Sequence, residues 1–77
     1  MLSFKHLVFL EVAQLKSFTK ASQSLYISQP AVSKHIKQLE EDYKTSLFER
    51  KGNTISLTHA GELLVNALIQ AKTIENQ

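Results

Sequence analysis

The short interval between Leu25 and Gln29 constrains this chain more than any other feature of its sequence. Before it, Phe18, Ala21 and Leu25 form one brief apolar stripe at helical spacing behind Ser17, whose side-chain oxygen suits an N-cap. Tyr26-Ile27 breaks the pattern. After it, Ser28 is a natural N-cap, and Pro30 stands in the first turn, where a missing N–H costs nothing. Val32, Ile36, Leu39 and Tyr43 then recur at spacings of four, three and four, which buries one face and leaves Gln29, Ser33, Lys34, Lys37 and Gln38 on the others.

The rest of the chain builds around this pair. Phe4, Leu7, Val8, Val12 and Leu15 predict a helix from Phe4 to Leu15, uninterrupted by proline or glycine. After Tyr43 the period changes: Leu47-Phe48-Glu49-Arg50 and Thr54-Ile55-Ser56-Leu57 flank Lys51-Gly52-Asn53, which reads as a small β-wing with a tight turn. Thr58 caps a last helix whose stripe Leu64, Ala67, Leu68, Ala71 and Ile74 is nearly heptad. The expected fold is mainly α: a three-helix core, a two-stranded wing over residues 1–57, then a linker helix over 58–77. The last stripe outruns a core of this size, which favours pairing of two copies over packing back on its own domain.

Two helices separated by so short a turn, the second opening on a capped polar segment, have the layout of a helix-turn-helix. The second helix of such a pair fits the major groove of DNA, with its N-terminal side chains at the base edges. Gln29 can donate to and accept from adenine, Ser33 bonds either way, Lys34 reaches guanine or a phosphate, and Pro30 offers an apolar surface to a thymine methyl. Ser17, Thr19, Ser28, Lys37, Arg50 and Lys51 are the candidate backbone contacts, which position the protein without specifying sequence.

Plainer readings exist for each. Polar residues on an amphipathic helix are usually a solvated face, and Ser17, Ser28 and Thr58 are caps before they are anything else. Lys16, Lys20, Lys37 and Lys44 read most simply as scattered surface charge, and Lys51 and Asn53 as turn residues. Arg50 has Glu49, Glu40 and Glu41 as competing ion-pair partners.

The run Ser17-Phe18-Thr19-Lys20-Ala21, then Leu25 through Lys34, Ile36 through Glu40, Leu47-Phe48-Glu49-Arg50, and finally Leu57-Thr58 with Ala60-Gly61-Glu62, closely resembles the N-terminal domain of LysR-type transcriptional regulators. The resemblance covers essentially the whole chain. It implies a winged helix-turn-helix, a linker helix that pairs two subunits, and recognition of an inverted-repeat operator as a homodimer. In that family the positions of Gln29, Pro30, Ser33 and Lys34 face the major groove and that of Arg50 lies in the wing near the backbone. The family also implies an effector-binding domain, expected to be absent here with the linker helix truncated, and leaves RNA polymerase open as a partner of the full-length regulator. Two departures stand out: Ser22 replaces a frequent alanine, and Tyr43-Lys44 replaces a usual Leu-Gly pair, removing a glycine cap from the third helix.

Composition narrows the alternatives. The chain has 77 residues, 43% of them hydrophobic, and no cysteine, so disulfides and thiolate chemistry are excluded and one small core is all it supports. His6, His35 and His59 are dispersed, which argues against zinc, and no cofactor is expected. No apolar run approaches the roughly 20 residues that span a bilayer, and no signal-peptide pattern opens the chain, so a cytoplasmic protein with no membrane partner is expected. The formal charge of +2 suits a polyanionic partner without requiring one. Neither nucleophile with base nor glycine-rich phosphate loop is present, so an enzyme is not expected. The serious alternative is a protein-interaction module, which would need apolar anchors on the third helix where polar and basic residues stand.

Overall fold

The computed structural model describes the backbone of residues 2–75 and the side chains of residues 2–71. Among the described residues there are four helices, α1 (Phe4–Leu15), α2 (Phe18–Leu25), α3 (Gln29–Tyr43) and α4 (His59–Glu75), with a largely exposed hairpin of β1 (Phe48–Lys51) and β2 (Thr54–Leu57) between α3 and α4. This is the expected winged helix.

Local capping sets the helix starts. Ser3, Ser17 and Ser28 lie in extended backbone conformation, and each side chain accepts from the N–H three residues on. The helix ends are less ordinary. Lys16, Tyr26 and Lys44 are left-handed, at φ 56°, 58° and 56°, although none is glycine. At Lys44 the missing glycine is replaced by geometry: its N–H reaches the Glu41 carbonyl at 3.3 Å and the Thr45 N–H reaches that of Glu40 at 3.1 Å. That is a Schellman closure with lysine in the strained position. Tyr26 and Ile27 close α2 the same way onto Gln23 and Ser22.

The core gathers Val8, Phe9 and Val12 of α1, Ala21 of α2, Val32, Ile36 and Leu39 of α3, then Leu47 and, from α4, Leu68. The α1 stripe is corrected in phase. Phe9 is fully buried, whereas Phe4 and Leu7 are 47% and 42% exposed. Tyr43, expected on the buried face of α3, is also 47% exposed. Ser22 sits in the core at 7% exposure because its hydroxyl donates to the Thr19 carbonyl at 2.7 Å, so the polar atom is not orphaned.

The strands pair antiparallel from Phe48 opposite Leu57 to Lys51 opposite Thr54, so Lys51 belongs to the ladder and only Gly52-Asn53 forms the loop. Gly52 has φ 61°, a conformation a two-residue hairpin requires of its first loop residue and glycine supplies without strain. Leu47, just before β1, ties three elements together. Its N–H donates to the Glu40 carboxylate at 2.8 Å and its carbonyl accepts from Thr58 N–H at 3.0 Å. Thr58 in turn donates through its hydroxyl to the Ser46 carbonyl at 2.6 Å and accepts from Gly61 N–H at 3.0 Å, which caps α4.

Candidate nucleic-acid interface

The short α2–α3 connection turns the capped start of α3 outward. Gln29, Pro30, Lys34 and Lys37 are exposed there and Ser33 is half-buried. Gln29 Nε2 lies 3.4 Å from Ser33 Oγ, a long contact that leaves both groups hydrogen-bonding capacity. Pro30, Ser33, Lys34, Lys37 and Gln38 border one shallow depression with Glu41. Ser33 and Lys37 also border a second, shared with Phe18, Ile36, Glu40, Phe48 and Arg50, which runs from α3 to the wing.

A third concavity lies between the start of α2 and the wing. Lys16, Ser17, Thr19, Lys20, Gln29, Arg50 and Asn53 line it with Phe18 and Ile55, and no carboxylate is among them. Cations without acids beside a helix N-terminus form a surface of positive potential. Arg50 forms no ion pair with Glu49, Glu40 or Glu41; Glu40 is held by the Leu47 N–H, and the guanidinium carbon sits 4.8 Å from the centre of the Phe18 ring.

The fold thus brings Gln29, Pro30, Ser33, Lys34, Lys37, Ser17, Thr19 and Arg50 onto one continuous surface. Ser28 and Lys51 are exposed but do not line these depressions; Lys51 follows Arg50 on β1 and leaves the opposite face of the strand. Lys16 and Lys20, expected as scattered surface charge, and Asn53, expected as a turn residue, line this concavity with Arg50. Sequence reasoning passed over Tyr26, 94% exposed in the turn beside α3. The signal for the two lysines was their spacing: they flank the Ser17 cap, one on each side of the helix start.

The α4 stripe divides. Leu68 is 8% exposed and belongs to the chain's own core, and Leu64 is half-buried against it. Ala67 is exposed and Ala71 half-buried, while the Ile74 side chain lies outside the described residues. Leu63, absent from the expected stripe, is 57% exposed.

At the far end of α3, His6 accepts or donates at both ring nitrogens, with Ser3 Oγ 2.6 Å from Nδ1 and Tyr43 Oη 3.0 Å from Nε2. Burial foremost, then the neighbouring Lys5 charge, lower its pKa below the ordinary 6.5, and Asp42 partly opposes them. Lys5 Nζ itself pairs with Asp42 at 2.7 Å. About 20 Å of helix separates this cluster from Gln29. Among the described residues no cluster of three His, Cys, Asp or Glu side chains is placed to hold a metal ion, and no helix is long and apolar enough to cross a membrane.

Residues 5–62 match the family model of bacterial regulatory helix-turn-helix proteins of the lysR family. The chain belongs to the LysR family. An HTH-type transcriptional regulator of Bacillus subtilis (strain 168), YwbI, is 60% identical over 57 residues, which cover 73% of this chain and 19% of that protein. A transcriptional regulator of the LysR family from Eggerthella lenta DSM 2243 superposes with TM-score 0.83 at 46% identity, over 88% of this chain and 97% of that one. The BenM DBD, in its complex with catB site 1 DNA, superposes with TM-score 0.87 at 32% identity, over 99% of this chain and 86% of that one. This LysR-family chain spans about a fifth of the length of the curated relatives it matches.

Proposed function

We propose that this LysR-family chain binds operator DNA and regulates transcription, with α3 in the major groove and the wing beside the phosphate backbone. The observation that carries the reading is the continuity of two surfaces: a depression bordered by Ser33, Lys37, Phe18 and Arg50, with Glu40 on its wall, joins the polar N-terminal face of α3 to the basic concavity between α2 and the wing, which no described carboxylate lines. Gln29, Pro30, Ser33 and Lys34 read base edges; Ser17, Thr19, Ser28, Lys37, Arg50 and Lys51 hold phosphates, joined by Lys16 and Lys20. The function is recognition and not catalysis. The BenM complex supports this reading, since a domain of the same fold is bound to DNA there.

A homodimer reads an inverted repeat, each α3 in one groove. We assign the pairing to α4, through Leu64, Ala67, Ala71 and Ile74; Leu68, buried in the chain's own core, anchors the helix to its domain, and the exposed Leu63 extends the proposed contact. An effector-binding domain, a small-molecule ligand, contact with RNA polymerase and a cytoplasmic location complete the picture for a full-length regulator.

Fluorescence-anisotropy titration against duplexes recovered by selection from a random pool, with a scrambled control and a salt series, tests the reading. Preferred binding to an inverted repeat, falling steeply with salt, is expected. Indifference to DNA even at low salt would transfer the α3 surface to a protein partner.

A further inference from the structure

Phe18 is the first residue of α2, directly after the Ser17 cap. Its ring stands at 87° to that of Phe48, with 5.9 Å between centroids, and the Arg50 guanidinium carbon lies 4.8 Å from its centre. The strand explains the convergence. Phe48 and Arg50 are two apart on β1, so both side chains leave the same face. Packing Phe48 against Phe9, 5.3 Å between centroids, therefore lowers Arg50 onto the Phe18 ring.

We infer that Phe18 is a positioning residue for Arg50, holding the guanidinium at the mouth of the concavity between α2 and the wing, ready for a DNA phosphate. The inference rests on the DNA-binding reading above and adds a residue that sequence reasoning assigned only to the core stripe of α2. An arginine has several rotatable bonds, and gripping a phosphate forfeits their freedom. Contact with a ring forfeits part of it before DNA arrives. A carboxylate partner would also orient the side chain, but it would cancel the charge and occupy the N–H fork that a phosphate needs. The face of an aromatic ring does neither, so all five N–H donors and the full charge remain available.

The surroundings agree with that division of labour. Glu40 borders the depression between α3 and the wing together with Arg50, but its carboxylate accepts from the Leu47 N–H, and no described carboxylate lines the concavity that Arg50 shares with Lys16 and Lys20. A hairpin with strands of four residues is marginal alone. The Phe9–Phe48–Phe18 contacts seat β1 against the helices together with the Leu47 hydrogen bonds at its start, and Arg50 follows Phe48 on that strand.

The test keeps the shape of Phe18 and changes only its electrostatics. Mono-, di- and trifluorophenylalanine replace Phe18 in the 77-residue chain, in the wild-type and Arg50→Ala backgrounds, and progressively drain the ring face of negative potential. Affinity for a labelled random-sequence duplex at low salt is read by anisotropy, and melting temperature on the same samples. Affinity is expected to fall stepwise by about two- to five-fold across the series, to be retained in Phe18→Tyr, and to be flat in Arg50→Ala. A flat series with intact wild-type binding overturns the inference alone, as does an equal slope in both backgrounds. Failure of the unmodified chain to bind any duplex overturns the DNA-binding reading, and this inference with it.

Discussion

Alanine in place of a helical glycine normally stabilises by about 1 kcal/mol. At Gly61, in the first turn of α4, the sign should reverse. A Cβ there would stand 2.3 Å from the Leu47 carbonyl oxygen, 2.9 Å from Leu57 Cδ2 and 3.2 Å from the Leu47 carbonyl carbon. Leu57 can rotate away. Leu47 cannot, because its side chain is 1% exposed, its N–H is held by Glu40 and its carbonyl by the Thr58 N–H. Carbon and oxygen rest at roughly 3.3 Å or more, so α4 must retreat by about 1 Å. Overpacking of this kind costs ~1–3 kcal/mol, and a weakened Thr58–Leu47 hydrogen bond about 1 kcal/mol, against the gain of about 1 in helix propensity. The net expectation for Gly61→Ala is a loss of about 2 kcal/mol, or a fall of roughly 8–16 °C in melting temperature for a domain of this size. Circular-dichroism melts at fixed chain concentration measure it. Gly52→Ala is the control: nothing lies within 4 Å of its Cβ, and φ +61° alone costs about 1 kcal/mol. A Gly61→Ala chain that melts at or above the wild-type temperature would refute the close approach of α4 to Leu47.

Lys44→Gly relieves a left-handed residue worth about 1–2 kcal/mol and incurs ~0.5–1 in chain entropy, so the urea midpoint should rise by the equivalent of about 0.5–1 kcal/mol with the slope unchanged; a lower midpoint counts against the Schellman closure. Ser33→Ala and Gln29→Ala should each cost ~1–3 kcal/mol on the selected operator and blur base preference, and equal losses on scrambled DNA would remove them from base reading. Arg50→Ala should weaken operator and scrambled duplexes together and reduce the salt slope by about 1, whereas a loss confined to the operator contradicts a phosphate contact. His6 has its pKa lowered in the fold, so the unfolded chain binds the proton more readily: its share of stability is whole above about pH 6.5 and is lost as pH falls through the lowered value. His6→Gln should flatten that part of the stability profile between pH 7 and 5, and an unaltered slope would assign the acid sensitivity elsewhere.

What the sequence announced, it announced through local chemistry. Ser17, Ser28 and Thr58 cap because a short side-chain oxygen ahead of an apolar period suits little else, and α1, α2 and α3 lie where their stripes placed them. The phase of α1 was hidden because Phe4, Leu7, Val8, Phe9, Leu10, Val12 and Leu15 leave few polar residues to mark the outer face, so periodicity could not choose Phe9 over Phe4 and Leu7. The α4 stripe failed in the same way at Leu68: an apolar residue at helical spacing looks alike whether it meets its own core or a second chain. The Arg50–Phe18 contact was not legible, because the ring lies on another element and nearby carboxylates are the partners that a sequence suggests for an arginine.

Net charge says little about this surface, but the order of charge along α3 says more. Its first turn carries no acid and its last turn no base, and Glu40, Glu41 and Asp42 crowd the C-terminal end. That order opposes the helix dipole, at a cost of about 0.3–1 kcal/mol for each charge near an end. Two of the acids have local relief, Glu40 on the Leu47 N–H and Asp42 on Lys5. The N-terminal end has no such compensation: its dipole and the nearby Lys34 add in the same sense, and α2, which opens on the same surface, also lacks an acid in its first turn. Helix α4 carries Glu62 in that place and follows the ordinary rule. Helix α1 lacks an acid there too, so the absence by itself is a weak signal. The adverse acids of α3 add weight, because a helix selected for its own stability would have its charges the other way round. On the proposed reading, an external polyanion at the start of α3 would restore the balance: each phosphate would supply the negative charge that the first turn withholds, and an acid placed there for stability would repel it.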